Sequence, residues 1–432
     1  MSIMVKKWKN WARNIQFKPT NIYYPESEEE IVNLVKDAIQ TNKKIRVAGS
    51  GHSFTPVVET EMLLSLDKFQ GLVSVDGNQV TVKAGTKLKR LGNLLHEHNL
   101  AMENLGDIDV QSIAGAISTG THGTGYNLQT IATQIAKIKF VNGKGEVITV
   151  TPEDNYELFK SAQISLGTLG ILLEITINAL PSYVLAYHAD KTTFNKIFDD
   201  LDKFKSENRN FEFYWFPYSK HIQTKTSNVS EPIKINNKRF SNWFNDMLME
   251  NHIFGLTCSV SKWFPFTAKY FSKIAGATIS SFDKVNYSHK VYATVRKVKF
   301  VEMEYSVPED KCQEVLTKLK EFIEREKIRV NFPVEVRFVK ADDIFLSPAF
   351  ESTRCYIAIH MYKGMKYQKY FQGAEKIFLE YSGRPHWGKR NNLTYELITQ
   401  KYPKLPVFLE QRQQMDPNGI FLNDHFRKLF NL

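Results

Sequence analysis

The sequence predicts an α+β protein built in more than one unit, and three observations carry that reading. Two alternating hairpin patterns, VSVDGNQVTV at 73–82 and FVNGKGEVITV at 140–150, sit among helical periodicities in the first 178 residues. Beyond Pro181 the pattern changes to long strands, FEFYWFPY (211–218), KFVEMEYSVP (299–308) and FPVEVRFV (332–339), with a helical stretch at about 309–327. Finally, 432 residues exceed what one core ordinarily holds, at roughly 100–200 residues per domain. The expected division is 1–178, 179–385 and a C-terminal segment 386–432. The second unit is expected to be an antiparallel sheet with helices on one face.

The elements follow in order. Ser27 can cap a helix and Glu30 can close its capping box; Ile31, Leu34, Val35, Ala38 and Ile39 then supply the apolar stripe, which stops near Thr41-Asn42. A strand from Lys44 to Val47 runs into a glycine loop, RVAGSGHSFTP at 46–56. Asp76-Gly77 is the turn of the first hairpin. A helix from Lys87 to His98 carries Leu88, Leu91 and Leu95 on one side. The stretch NLGDIDVQSIAGAISTGTHGTG (104–125) is poor in charge and rich in Gly, Ser and Thr; the interleaved Ile108, Val110, Ile113 and Ile117 argue for backbone pressed on a ligand rather than a linker. Residues up to 178 thus read as two mixed lobes able to hold a nucleotide between them. Residues 241–281 are expected to be helical in part.

Composition excludes several classes. Hydrophobic residues at 42% and charged residues at 24% suit a soluble globular enzyme. No apolar run approaches the roughly 18 residues of a membrane helix, and the start MSIMVKKWKNWARN lacks an apolar signal core, so a cytoplasmic location is expected. Three cysteines, Cys258, Cys312 and Cys355, have neither disulfide parity nor metal-ligand spacing; buried thiols and no metal site are expected. The net charge of +11 is dispersed among acids, which argues against a nucleic-acid partner.

Two segments concentrate chemistry. In the glycine loop, Gly49 and Gly51 let backbone N–H groups approach a pyrophosphate, and His52 follows where it could reach a flavin ring. No Rossmann βαβ unit follows, since a polar stretch and a hairpin come after Pro56. Near the other end RPHWGK brings His386, Trp387 and Lys389 into four positions. Glu335 and Arg337, two apart on a strand, share one face; spacing alone favours an ordinary ion pair there.

With these segments, AGAISTGTHGTG (114–125), SLGTLGILLEIT (165–176), VEVRFVKADDIFLSP (334–348) and MDPNGIFLN (415–423), nearly the whole chain resembles the sugar-1,4-lactone oxidases, the L-gulonolactone and D-arabinonolactone oxidases among FAD enzymes of the vanillyl-alcohol-oxidase type. Alditol oxidases share the glycine loop and HWGK. The resemblance implies a two-lobed FAD-binding domain, a substrate cap and a C-terminal return to the flavin. It implies FAD bound covalently through His52 and contacted by Val47, Ala48, Gly49, Ser50, Gly51, Ser53, Ser112, Gly115, Thr119, Gly120, Thr121, His122, Ile171 and His386. Gly106 is implied beside the flavin, where a dehydrogenase relative carries alanine and reacts poorly with oxygen. Glu335, Arg337 and Lys389 are implied as the catalytic set, with Lys389 able to act as base if desolvation and Arg337 lower its pKa. Asp107, His360 and Tyr362 are implied at the substrate. Asp107 and Tyr362 depart from the alditol pattern (Ser and Thr there), whereas His360 is expected in the alditol branch. The implied reaction is oxidation of the C2 carbinol of an aldono-1,4-lactone by hydride transfer to flavin N5, with oxygen giving hydrogen peroxide and an ascorbate-like product. An alditol oxidase and a flavin-binding module without turnover are the alternatives.

Overall fold

The computed structural model describes residues 7–232, 235, 254–293 and 296–432. The first helix, Glu28–Gln40, starts as the sequence dictates: Ser27 Oγ accepts from the Glu30 N–H at 3.2 Å, and the Glu30 carboxylate accepts from the Glu26 N–H at 2.8 Å, one residue earlier than a standard capping box. Its stripe buries Ile31, Val35 and Ala38. Strand Ile45–Ala48, one residue later than expected, pairs in parallel with Met62–Ser65, which pairs in parallel with Asn21–Tyr23.

The two hairpins are not in separate lobes. They lie in one five-stranded antiparallel sheet in the order Val147–Val150, Ile135–Asn142, Gly170–Asn178, Gln79–Lys83, Leu72–Asp76. The reason is the central strand: Ile171, Leu172, Leu173, Ile175 and Ile177 are all buried, so both its faces are covered and each of its edges takes a hairpin. Helix Leu88–Glu97 buries Leu88, Leu91 and Leu95, as its spacing predicts. The lobe opposite this sheet is the small parallel sheet with its helix.

The remaining sheet has eight antiparallel strands in the order Phe282–Tyr287, Val184–Thr193, His221–Ser230, Asn210–Trp215, Val334–Val339, Arg354–Tyr362, Phe300–Pro308, Arg384–Pro385. Strand alternation sorts its residues by chemistry. Phe213, Trp215, Met303, Tyr305, Val336, Ile357 and Ile359 join an apolar cluster with the helices Cys312–Arg325 and Gln368–Glu380. The alternate positions Glu302, Glu304, Glu335, Arg337 and His360 are buried too, but toward the first unit. Of the stretch 241–281, residues 241–253 lie outside the described residues; Phe254–Trp263 and Ala268–Ala277 are helical.

A second apolar cluster joins buried residues from Ile31 to Ala179 with Trp387, Ile398, Phe408, Ile420, Phe426 and Phe430. The tail is fixed by its own turn: Gly419 takes φ +60°, and the Asp416 carboxylate accepts from the Ile420 and Phe421 N–H groups at 2.9 and 3.0 Å. All three cysteines are free and buried. No helix among the described residues is long and apolar enough to cross a membrane.

Candidate functional site

Two clefts meet at His52. The first, about 1150 Å³ and open to solvent, runs between the small parallel sheet and the five-stranded sheet; residues 47–53, Ser112, Gly115, Thr119 and Ile171 line it. The loop leaves strand Ile45–Ala48 and turns at Gly51, whose φ of +67° favours glycine. At Gly49 a Cβ would come within 2.9 Å of Ser112 Oγ, so glycine is what lets the two ligand-facing loops close on each other. Ser112 caps helix Ile113–Ser118. A cation that sequence reading passed over, Lys87, stands at this loop, with Nζ 2.9 Å from Ser50 Oγ and 2.6 Å from Asp67 Oδ1.

The second cleft, about 780 Å³, shares His52, Ser53, Gln111 and Thr119 with the first and reaches the polar face of the eight-stranded sheet. His52 stacks on Trp11 with centroids 5.3 Å apart. Burial, and then Lys389, push its pKa down to about 4, so the ring is neutral at neutral pH. The register sets the rest. Glu212 pairs with Arg337, Tyr214 with Glu335, and Glu302 with His360, which brings four strands' charged positions onto one surface. Arg337 Nη2 lies 2.5 Å from Glu335 Oε1, its Nε 2.7 Å from Glu212 Oε2, and Nη2 3.7 Å from Asp107 Oδ2; Arg296 also binds Asp107.

These contacts fix charge states. Burial opposes the Arg337 cation, but Glu335, Glu212 and Asp107 more than offset it, holding the guanidinium well above its ordinary value. Burial likewise pulls Lys389 down, and Glu302 at 2.5 Å, with Glu304 and Asp107, pulls it further up. The carboxylates outweigh desolvation and favour the ammonium, so the lowering of its pKa on which a role as base depended does not occur. Burial would raise Glu302, yet Lys389 and His360 bring it down to about 2. Glu304, bound by His122 at 3.2 Å, also falls below the usual range despite its burial. Glu335 moves the other way: burial, with Asp107 and Glu212 beside it, raises it against the pull of Arg337 and Arg296. His386 accepts the Gly388 N–H on Nδ1 at 3.0 Å and is held neutral by burial, with its pKa down at about 3.

The first cleft gathers Val47, Ala48, Gly49, Ser50, Gly51, His52, Ser53, Ser112, Gly115, Thr119 and Ile171; the second gathers Gly106, Asp107, Thr121, His122, Glu335, Arg337, His360, His386 and Lys389. Gly120 and Tyr362 line neither. Gly120, at φ +72°, backs onto Ile164 and Pro348, and Tyr362, at the end of its strand on the His360 face, turns its hydroxyl to Ser259 Oγ at 3.2 Å rather than into the cleft. Gly106 is not among the glycines with positive φ, and a Cβ there would stand 3.1 Å from the His122 carbonyl oxygen. Sequence reading missed Lys87, Gln111, Glu212, Arg296, Glu302 and Glu304. The E-x-E spacing of Glu302 and Glu304 was the available signal, the same period of two that marked Glu335 and Arg337.

A family model described as D-arabinono-1,4-lactone oxidase matches residues 175–429, and one described as FAD binding domain matches residues 19–151. The chain is 36% identical over 428 residues to an L-gulono-1,4-lactone dehydrogenase of Mycobacterium tuberculosis, covering 98% of each. It is 31% identical over 436 residues to the L-gulonolactone oxidase of Mus musculus, again covering 98% of each. Among solved structures, a cholesterol oxidase from B. sterolicum superposes with a TM-score of 0.85 at 18% identity, covering 98% of this chain and 96% of that one, a likeness of fold. The residues present fit FAD. Backbone of the glycine loop and of the Ser112–Gly115 turn lines the first cleft, and Gln111, which lines both clefts, has a buried Oε1 without a hydrogen-bond partner.

Proposed function

As this chain belongs to the D-arabinono-1,4-lactone oxidase family and carries an FAD binding domain, we propose that it oxidises the C2 carbinol of an aldono-1,4-lactone, L-gulono-, L-galactono- or D-arabinono-1,4-lactone, with oxygen as final acceptor. The observation that carries this reading is the single charged face of Glu335, Arg337 and Lys389 in a cleft continuous with the glycine-loop cleft through His52. The division proposed is an FAD-binding domain at 1–178, a substrate cap at 179–385 and a C-terminal return at 386–432. Apolar contacts of the tail with the first unit support it.

The glycine loop, with Lys87 beside it, would hold the pyrophosphate, and His52 would carry the covalent bond. The chemistry FAD supplies when bound is acceptance of the C2 hydride at N5 and reoxidation by oxygen to give hydrogen peroxide. The chain's own task is the hydroxyl proton and the charge that its loss exposes. Arg337 and Lys389, both fixed as cations, stabilise negative charge on the substrate oxygen. Glu335 takes the proton. Asp107, Glu212 and Glu335 crowd around Arg337, with Arg296 beside Asp107, and Glu335 is the carboxylate that burial and its acidic neighbours drive toward the neutral form. The resulting 2-keto lactone enolises to an ascorbate-like product.

Anaerobic flavin bleaching by a panel of lactones and polyols tests the substrate class; bleaching by polyols alone would make the chain an alditol oxidase, and by neither a binding module. Glu335→Gln tests the base. A carboxyl group raised above 4.5 is protonated on the acid side and cannot accept, so the parent's reduction rate is expected to climb with pH through a pKa above 4.5 and then level off. The variant should lose that limb and run about 10²-fold slower on the plateau. An unchanged acid limb in the variant would assign the proton elsewhere.

Gly106→Ala addresses oxygen. With Gly106 outside the left-handed region, alanine meets no conformational penalty, only the close His122 carbonyl. Full FAD content and unchanged anaerobic reduction are expected, with markedly slower reoxidation by oxygen and turnover restored by an artificial acceptor. Unchanged peroxide output at full occupancy would remove Gly106 as the determinant.

A further inference from the structure

Helix Ala268–Ala277 is turned inside out relative to an ordinary surface helix. Its buried face is made of small residues, Ala268, Ser272 and Gly276, with the Ser272 hydroxyl donating to the Pro217 carbonyl at 2.6 Å and Gly276 against Ser219. The large apolar residues at the complementary spacing, Phe266, Tyr270 and Ile274, face solvent. The elbow to the preceding helix, Phe254–Trp263, adds Trp263 and Phe264, which are 76% and 57% exposed. This is the densest group of exposed large apolar side chains among the described residues, too contiguous for scattered surface residues.

Charge says what covers it. From Phe254 to Ser281 the chain has three lysines, Lys262, Lys269 and Lys273, and no acid. All three are exposed, and Lys269 Nζ lies 4.8 Å over the Tyr270 ring. Lys9, Arg13, Lys262 and Lys299 act together on Lys363, so a second group of cations continues from Lys262. A second copy seated on this face would set lysine against lysine. An anionic partner with an apolar interior meets both demands, and aromatic rings among lysines are the composition of bilayer interfaces. We infer that Trp263, Phe264, Phe266, Tyr270 and Ile274, rimmed by Lys262, Lys269 and Lys273, form a docking face for an anionic lipid bilayer, inserted to the headgroup level without spanning it.

The test uses the full-length flavoprotein and sedimented vesicles of phosphatidylcholine alone or with about a third phosphatidylglycerol. The protein should pellet with the anionic vesicles, less so as salt rises. Trp263→Ser/Phe266→Ser and Lys262→Glu/Lys269→Glu/Lys273→Glu should each need about tenfold more lipid or worse for half-binding, with flavin content and lactone-driven reduction unchanged. A Phe266→Cys thiol should react with maleimide in the free protein and be protected by anionic vesicles. Failure to pellet, equal binding by all variants, or an unreactive thiol in the free protein, which would mean another part of the chain covers the face, would each overturn the proposal. So would a dimer that the Trp263→Ser/Phe266→Ser change dissociates in the absence of vesicle binding, since that assigns the face to a second copy.

Discussion

Arg337→Ala is expected to slow flavin reduction by lactone about 10²–10³-fold while FAD stays bound, because the charge that Arg337 stabilises exists on the substrate oxygen only during reaction. Its place explains the size of the effect. Both edges of the guanidinium are engaged by carboxylates, Glu335 at 2.5 Å and Glu212 at 2.7 Å, so it is fixed before substrate arrives and costs no reorganisation. The same burial means that alanine leaves Glu335, Glu212 and Asp107 with Arg296 as their one remaining guanidinium, which threatens the fold as well. Arg337→Lys separates the two effects: it restores the charge but not the planar fork, and should recover stability more than rate. Lys389→Met is expected to act in the same range; it leaves the buried Glu302 with His360 Nε2 at 3.5 Å, and FAD content measured beside the rate separates lost catalysis from lost fold. Stopped-flow reduction near the parental rate in Arg337→Ala and Lys389→Met would move the role to another group, His360 first.

His52→Ala is expected to convert a protein whose yellow colour survives acid precipitation into one that releases all of its FAD to the supernatant. The imidazole is suited to bond formation because it is proton-free: with its pKa pushed down to about 4, the neutral form dominates at every pH well above that value. Trp11 holds the ring in place at the junction of the two clefts. Binding should persist in the variant, since the glycine loops and Lys87 are untouched, and turnover should fall without vanishing. Free FAD released on denaturing the unmutated, fully loaded protein would rule out the linkage.

What the sequence made legible was local. Ser27 as cap, Asp76-Gly77 and the leucines of 88–95 act over a few residues, and each forms what its spacing predicts; Glu30 closes on the Glu26 N–H instead of that of Ser27. Strands Val184–Thr193 and His221–Ser230 were not legible: they are rich in Thr, Lys, His and Asn, and pairing over ten register positions rather than apolar content makes them strands. That both hairpins share one sheet was also hidden, because it depends on a central strand some twenty residues after the second hairpin. In the site, the types and positions of Glu335, Arg337 and Lys389 could be read, but not their protonation. The ammonium's partner, Glu302, lies 87 residues away in the chain and meets it only through the sheet.

The loop that would grip the flavin is held shut from the far end of the chain. Ile45 donates to the Ile420 carbonyl, Arg46 to that of Phe421, and Phe54 to that of Gly388, while Asn423 binds the Pro56 and Glu59 carbonyls. A ribosome that has made the first 178 residues has therefore made all the glycines of the loop but none of the clasps that give it shape. Cofactor loading belongs after translation, when residues 388–423 have emerged. A chain stopped before residue 388 is expected to attach no flavin, so the yellow colour would mark molecules in which the tail has closed on the loop.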